Sequence, residues 1–167
     1  SGANYDYDLP DLQRQRLTDE AYHLQRSLAS EQTGNQQLQD SFLNIILTID
    51  SMLQSQPLFT LDRWLNMAGD IALEAADDRL LTPDSIAAAQ LWLRQNALTL
   101  ITTWGPQAAS EQGGLHDYSY RQWAGMLRGF YLPRWRLFFS TPPDRHDSID
   151  WFDVETAAAD ALLRDFP

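Results

Sequence analysis

Side chains able to carry chemistry fall into three groups in this 167-residue sequence. The first is the neighbouring pair His116-Asp117, an imidazole and a carboxylate of the kind that serves general acid–base catalysis. Adjacent residues on a chain usually point apart, so the spacing argues against a working pair. The second is Asp144, Asp147, Asp150 and Asp153, hard oxygen donors of the type that suits Ca²⁺. That run lacks the Gly and the terminal Glu of an EF-hand loop, and a solvated acidic face is the simpler reading. His23 and His146 have no second His or carboxylate at ligand spacing, so both are expected to be solvated and no metal or other cofactor is expected. The third group is aromatic. Trp104, Trp123 and Trp135 fall within about one-fifth of the chain, in a stretch that begins Thr103-Trp104-Gly105-Pro106 and continues through Leu115-His116-Asp117-Tyr118 to Phe139. Trp123 and Trp135 read as core anchors; Trp104, at the end of an apolar stripe, can anchor a core or cover a ligand. Arg134, set among aromatics after Pro133, is expected to pair with a carboxylate, Asp117 being one candidate, or to cap carbonyls.

The elements that must position these groups are helical. Asp8-Leu9-Pro10 reads as a helix start, followed by Leu17, Ala21, Leu24 and Leu28 as one apolar stripe. Gly34-Asn35 ends that helix or caps a second, which carries Leu38, Phe42, Ile45, Ile46, Ile49 and Leu53 and is closed by Pro57. Thr60 can cap a third, with Leu61, Trp64, Leu65, Ala68, Ile71, Ala72 and Ala75 inward. Thr82-Pro83-Asp84 opens a fourth, carrying Ile86, Ala89, Leu93, Ala97, Leu100 and Trp104 and stopped by Gly105-Pro106. Asp117 can cap a fifth, running through Trp123, Leu127 and Phe130 until Pro133 forces a kink near Phe130-Tyr131. Ser148 or Asp150 can cap the last, with Trp151, Val154, Ala158 and Leu162 inward. No alternating run with a hairpin turn occurs. The expected fold is all-α, a bundle of about six helices with a kinked, aromatic-rich fifth helix.

Composition bounds the partners. With 44% apolar residues the chain can bury one good core, so residues 1–167 are expected to form a single domain. Net charge is −11, and all twelve basic residues are Arg. Such a surface repels phosphates and anionic headgroups, so neither nucleic acid nor a membrane surface is expected as partner, and no apolar run reaches membrane-spanning length. There is no Cys, hence no disulfide framework and no thiolate metal site. Ser1-Gly2 has the form of a cloning remnant, which would make the chain an excised domain.

Four ordered motifs carry a family resemblance. Thr103-Trp104-Gly105-Pro106, Leu115-His116-Asp117-Tyr118, Gln122-Trp123-Ala124-Gly125 and Phe130-Tyr131-Leu132-Pro133-Arg134-Trp135 resemble the C-terminal helical domain of α-N-acetylglucosaminidases, glycoside hydrolase family 89. That family carries Leu-Trp-Gly-Pro, Leu-Asp-Tyr, Gln-Leu-Ala-Gly and Tyr-Tyr-x-Pro-Arg-Trp in this order. Tyr5 to Leu17 and Phe59 to Leu65 extend the similarity more weakly.

The resemblance implies more than this chain contains. Family members carry a small N-terminal domain and a TIM-type barrel ahead of the helical domain. They are retaining exo-enzymes that remove terminal α-linked N-acetylglucosamine, from heparan sulfate in animal lysosomes and from mucin-type glycans in gut bacteria. By the same resemblance the parent protein is a secreted, periplasmic or lysosomal glycosidase. The partners implied are the barrel of the same parent chain and a glycan ending in α-linked N-acetylglucosamine. Both catalytic glutamates belong to the barrel. Retaining hydrolysis needs two carboxylates about 5–5.5 Å apart, whereas Glu20, Glu31, Glu74, Glu111 and Glu155 are scattered over different segments. No catalytic residue is therefore expected here, and the isolated chain should be inactive. What the resemblance assigns to this domain is one wall of the sugar pocket, from Trp104, Leu115 and His116. Gly105, Pro106, Asp117, Tyr118, Trp123, Pro133, Arg134 and Trp135 form the structural motif around it. The connection from Pro106 to Asp117 is longer than the family's, and His116 stands where the family more often has Leu. A second function class keeps the fold without the chemistry, as a non-catalytic helical interaction module.

Overall fold

In the computed structural model, the residues described are 2–30, 35–77, 82–102, 121–164 and 166. They are helical almost throughout, and among them no β-strand occurs beyond one isolated bridge. The described residues include six α-helices: α1 (Gly2–Ser30), α2 (Gln36–Leu53), α3 (Leu61–Asp77), α4 (Pro83–Thr99), α5 (Leu132–Ser140) and α6 (Trp151–Arg164). Short 3₁₀ turns lie at Pro57–Phe59 and Pro143–Ser148, and a π-helical stretch, Leu127–Tyr131, leads into α5. The all-α expectation holds. The chain divides into two compact units: residues 1–60 with 122–149, and residues 61–121 with 150–167.

In the first unit α1 packs along α2. The stripe Leu17, Ala21, Leu24 and Leu28 is the half-buried face of α1. Phe42, Ile45, Ile46, Ile49 and Leu53 of α2 are fully buried. Asn35 caps α2, its side-chain oxygen accepting from Leu38 N at 3.2 Å. Against α2 lie the π-helical stretch and α5. Pro133, in the first turn of α5, cannot donate a backbone hydrogen bond. Just ahead of it Leu132 N–H donates to Leu127 O, five residues back, so the helix widens instead of breaking. That is the physical form of the kink expected near Phe130-Tyr131.

In the second unit α3 and α4 form an antiparallel pair, and α6 packs on α4. Thr82 caps α4, accepting from Ser85 N at 3.2 Å, with Pro83 at the first position. Trp64 Nε1 donates to the Ala97 carbonyl at 3.0 Å, satisfying an acceptor in the last turn of α4. Asp150, rather than Ser148, closes the start of α6 by accepting from Asp153 N at 3.1 Å.

Several helical boundaries and faces differ from expectation. α1 starts at Gly2 and carries Pro10 in its interior. A proline there costs the Asp6 carbonyl one donor, and Asp6 is exposed, so water can serve it. Ile71 and Ala75 of α3 point outward, Ile71 being 56% exposed, because the buried stripe follows Leu61, Leu65, Ala68 and Ala72. α4 ends at Thr99 instead of reaching Trp104, and Leu100 is exposed. Thr99 and Thr102 hydroxyls donate back to the Asn96 and Leu98 carbonyls, at 2.7 and 2.8 Å, and compete for groups that would extend the helix. The fifth helix does not run continuously from Asp117 through Trp123. Residues 121–123 are non-helical and helix resumes at Met126.

Candidate functional site

The motif Gln122-Trp123-Ala124-Gly125 is where the described chain resumes after residues 103–120, and each of its positions has a physical reason. Gln122 Oε1 accepts from Arg14 Nη1 at 2.7 Å and from Thr18 Oγ1 at 3.0 Å, which ties the segment to α1. Arg14 is itself held by Asp11 at 2.6 Å. Trp123 is half-buried. Ala124 is buried; its N–H donates to Phe59 O at 2.8 Å in a parallel bridge with Thr60. Gly125 has φ 84°, a left-handed conformation that a Cβ would strain.

The group that fixes this turn comes from α2. Asp50 is 2% exposed. Its Oδ1 accepts from Gly125 N at 2.8 Å and Arg128 N at 3.0 Å, and its Oδ2 accepts from Arg128 Nε at 3.1 Å. Asp50 therefore acts as an N-cap supplied from another helix, satisfying amide hydrogens at the start of the π-helical stretch. Arg128 Nη2 also donates to Ser51 Oγ at 3.3 Å. Both carboxylate oxygens are engaged, so the geometry suits a fastener and not a proton-transfer group.

Below this turn lies the motif Phe130-Tyr131-Leu132-Pro133-Arg134-Trp135. Phe130, Tyr131 and Leu132 are buried. The Arg134 guanidinium lies over the Phe130 and Tyr131 rings, 5.5 and 5.7 Å from their centroids. Trp135, half-buried, meets Phe42 edge-on at 4.7 Å and sits 5.5 Å from Phe139 and 5.9 Å from Phe138. Pro133 is exposed, as suits a residue whose role is to set backbone direction.

Of the sequence-stretch assigned to the pocket wall, Trp104, Leu115 and His116 lie outside the described residues, as do Gly105, Pro106, Asp117 and Tyr118. The proposed Arg134–Asp117 pairing and the His116-Asp117 pair lie there too. Asp144, Asp147, Asp150 and Asp153 are exposed, and among the described residues no three His, Asp or Glu side chains come together as a metal site. Among the described residues no helix is long and apolar enough to cross a membrane. His23 is exposed, but His146 is not simply solvated. It is half-buried and stacked on Phe138 at 4.0 Å. Its Nε2 faces the Phe138 and Thr141 carbonyls at 3.0 and 2.9 Å. Two acceptors at one nitrogen mean that Nε2 carries the hydrogen, closing the end of α5.

Sequence reasoning missed Asp50 and Glu155, the latter 1% exposed in α6. The signal for Asp50 was present: it stands inside the apolar register of α2, between Ile49 and Leu53, where a carboxylate needs a partner. For Glu155, one position after Val154 on the inward face of α6, the register was equally available.

Among the described residues, Gln122, Ala124 and Gly125 of the motifs fasten the helical segments to one another. The sequence matches the family model for the alpha-N-acetylglucosaminidase (NAGLU) C-terminal domain over residues 1–163, and the chain belongs to that family. It is 29% identical over 147 residues to human alpha-N-acetylglucosaminidase, covering 83% of this chain and 17% of the human protein. Its fold is similar to a family 89 glycoside hydrolase from Clostridium perfringens solved in complex with 2-acetamido-1,2-dideoxynojirmycin. The TM-score is 0.73 at 24% identity, covering 97% of this chain and 19% of that one. A double Glu-to-Gln variant of the Clostridium perfringens enzyme, in complex with its substrate GlcNAc-α-1,4-galactose, matches at TM-score 0.73 and 26% identity over 94% of this chain and 18% of that one. The chain thus spans less than a fifth of the length of these relatives.

Proposed function

We propose that residues 1–167 form a single C-terminal accessory domain of a retaining exo-α-N-acetylglucosaminidase, packed beside the catalytic barrel of the same parent and walling one side of its sugar pocket. The observation that carries this reading is the family match over residues 1–163 together with the physical role found for its Gln122-Trp123-Ala124-Gly125 motif. The chemistry belongs to the parent's barrel. In this chain the buried carboxylate Asp50 is engaged in backbone capping. The partners are the barrel and a glycan ending in α-linked N-acetylglucosamine, as in the substrate held by the Clostridium perfringens relative. Trp104, Leu115 and His116 are the residues assigned to the pocket wall; an indole or an aliphatic side chain can cover the apolar face of a pyranose or its acetyl methyl.

Kinetics of the intact parent on an aryl α-N-acetylglucosaminide test this. Trp104→Ala should lower kcat/KM by a factor worth roughly 1–3 kcal/mol, the range for losing a modest apolar contact. Normal kinetics per folded molecule would remove Trp104 from the pocket. The isolated 167-residue chain should show no turnover, and purified activity that vanished on mutating one of its residues would overturn the division of labour.

A further inference from the structure

α1 carries two apolar faces. The stripe of Leu17, Ala21, Leu24 and Leu28 is half-buried, on the helix that packs along α2. Tyr5, Leu9 and Leu12 recur at spacings of four and three and are 72%, 47% and 68% exposed. At about 100° of turn per residue, the two stripes stand about 120° apart around the helix, so they are separate faces. The second stripe is short. Arg16 and His23 follow in the same register and are exposed polar residues, so the apolar patch is confined to the N-terminal third of α1. Asp6 and Asp8 stand beside it as an exposed acidic rim. Single exposed apolar side chains are ordinary, but three in one helical register, apart from the covered face, form a surface built to meet another.

We infer that Tyr5, Leu9 and Leu12 form the surface on which α1 docks against the preceding part of its own parent chain. This rests on reading the chain as the C-terminal domain of a longer glycosidase. The relatives are more than five times the length of what they share with this chain, and the matched family is by description a C-terminal domain. The remainder therefore joins through α1, the first element. Tethering at that end holds the preceding domain at high effective concentration beside the stripe, so a small apolar patch suffices where a free partner would need a larger one. Inter-domain contacts of this kind are modest in area and have a polar rim, which Asp6 and Asp8 supply.

Hydroxyl-radical footprinting of the intact parent, compared with the 167-residue chain, tests the surface. Tyr5, Leu9 and Leu12 should be oxidised at least tenfold more slowly in the parent. Tyr22, exposed on the same helix but off the stripe, reports general access. Leu9→Ser with Leu12→Ser should lower the parent's melting temperature by several degrees and leave that of the 167-residue chain unchanged. Equal oxidation of the stripe in both proteins overturns the inference. So does protection of the isolated chain that grows with its concentration, which would make a second copy the occupant. If instead the parent proves inactive on α-N-acetylglucosaminides while the stripe is protected, the glycosidase reading falls and the docking surface stands.

Discussion

Each of the two units places a charged side chain against a glycine, and the two solutions are opposite. In the first, Asp50 is satisfied through both oxygens, and Gly125 is needed for its backbone angle, φ 84°. In the second, the Arg94 side chain lies against Gly69, where an added Cβ would stand 2.9 Å from Arg94 Nε. Arg94 Nε is buried with no hydrogen-bond partner among the described residues, and the guanidinium lies 4.8 Å over the Phe166 ring. A carboxylate has few ways to be buried cheaply, so its hydrogen bonds dictate the local fold. A guanidinium can spread its charge over a ring and an aliphatic bed, so it asks only for room. The first glycine is required by conformation and the second by volume.

Removing the carboxylate should have the largest effect. Asp50→Ala leaves Gly125 N, Arg128 N and Arg128 Nε without their acceptor. The Arg128 side chain is 57% exposed and can turn to water. The expected loss is therefore about 3–5 kcal/mol from two backbone hydrogen bonds to a charged acceptor, roughly 1.5–3 kcal/mol each, out of the roughly 5–15 kcal/mol a domain possesses. Urea unfolding followed by far-UV circular dichroism measures it. A loss below about 1 kcal/mol would mean that water replaces the carboxylate easily and that the contrast with Arg94 is false. Asp50→Asn keeps one acceptor oxygen and should cost clearly less.

The aromatic seam of the same unit comes next. Trp135→Ala removes the ring that touches Phe42, Phe138 and Phe139. Because the indole is half-buried, about 3 kcal/mol is expected, the low end of the range for truncating buried aromatics. A melting temperature unchanged within a couple of degrees would place the stability of this unit in the Asp50 cap alone.

Much of this was legible in the sequence, for reasons that differ by region. The packed stripes of α1 and α2 followed from spacing because in each an unbroken run of apolar residues at helical intervals marks the face that is covered. α3 was misread at Ile71 and Ala75 because apolar residues occur on several of its faces, so periodicity alone could not choose between them. The start of the fifth helix was misplaced for another reason. Arg121 to Gly125 has acceptable helix formers, and only the tertiary contacts to Arg14, Phe59 and Asp50 hold it in another conformation. Such contacts leave no local trace beyond a glycine. The wall assigned to Trp104, Leu115 and His116 came from resemblance rather than spacing, and its test is kinetic.

Gly125→Ala sharpens the conformational half of the comparison. A Cβ at φ 84° costs roughly 1–2 kcal/mol, and the loss should be felt whatever stands nearby. Asp50→Ala would not relieve it, because the strain is in the backbone. An alanine that proved neutral would show that the turn relaxes and that Asp50 does not hold it.

Gly69→Ala should have the smallest effect, and its sign should depend on Arg94. In a helix interior, alanine is favoured over glycine by about 1 kcal/mol. Against this, the new Cβ crowds Arg94 Nε, Cζ and Nη2 at 2.9–3.2 Å, and the side chain must shift off Phe166. Losing a cation–π contact at a partly exposed site costs about 0.5–1 kcal/mol, so the two effects nearly cancel and the single variant should lie close to wild type. In an Arg94→Ala background nothing is left to crowd, and the same substitution should stabilise by about 1 kcal/mol. The double-mutant cycle isolates that difference. Additive behaviour would mean that Arg94 and Gly69 are independent, and volume would no longer explain the glycine.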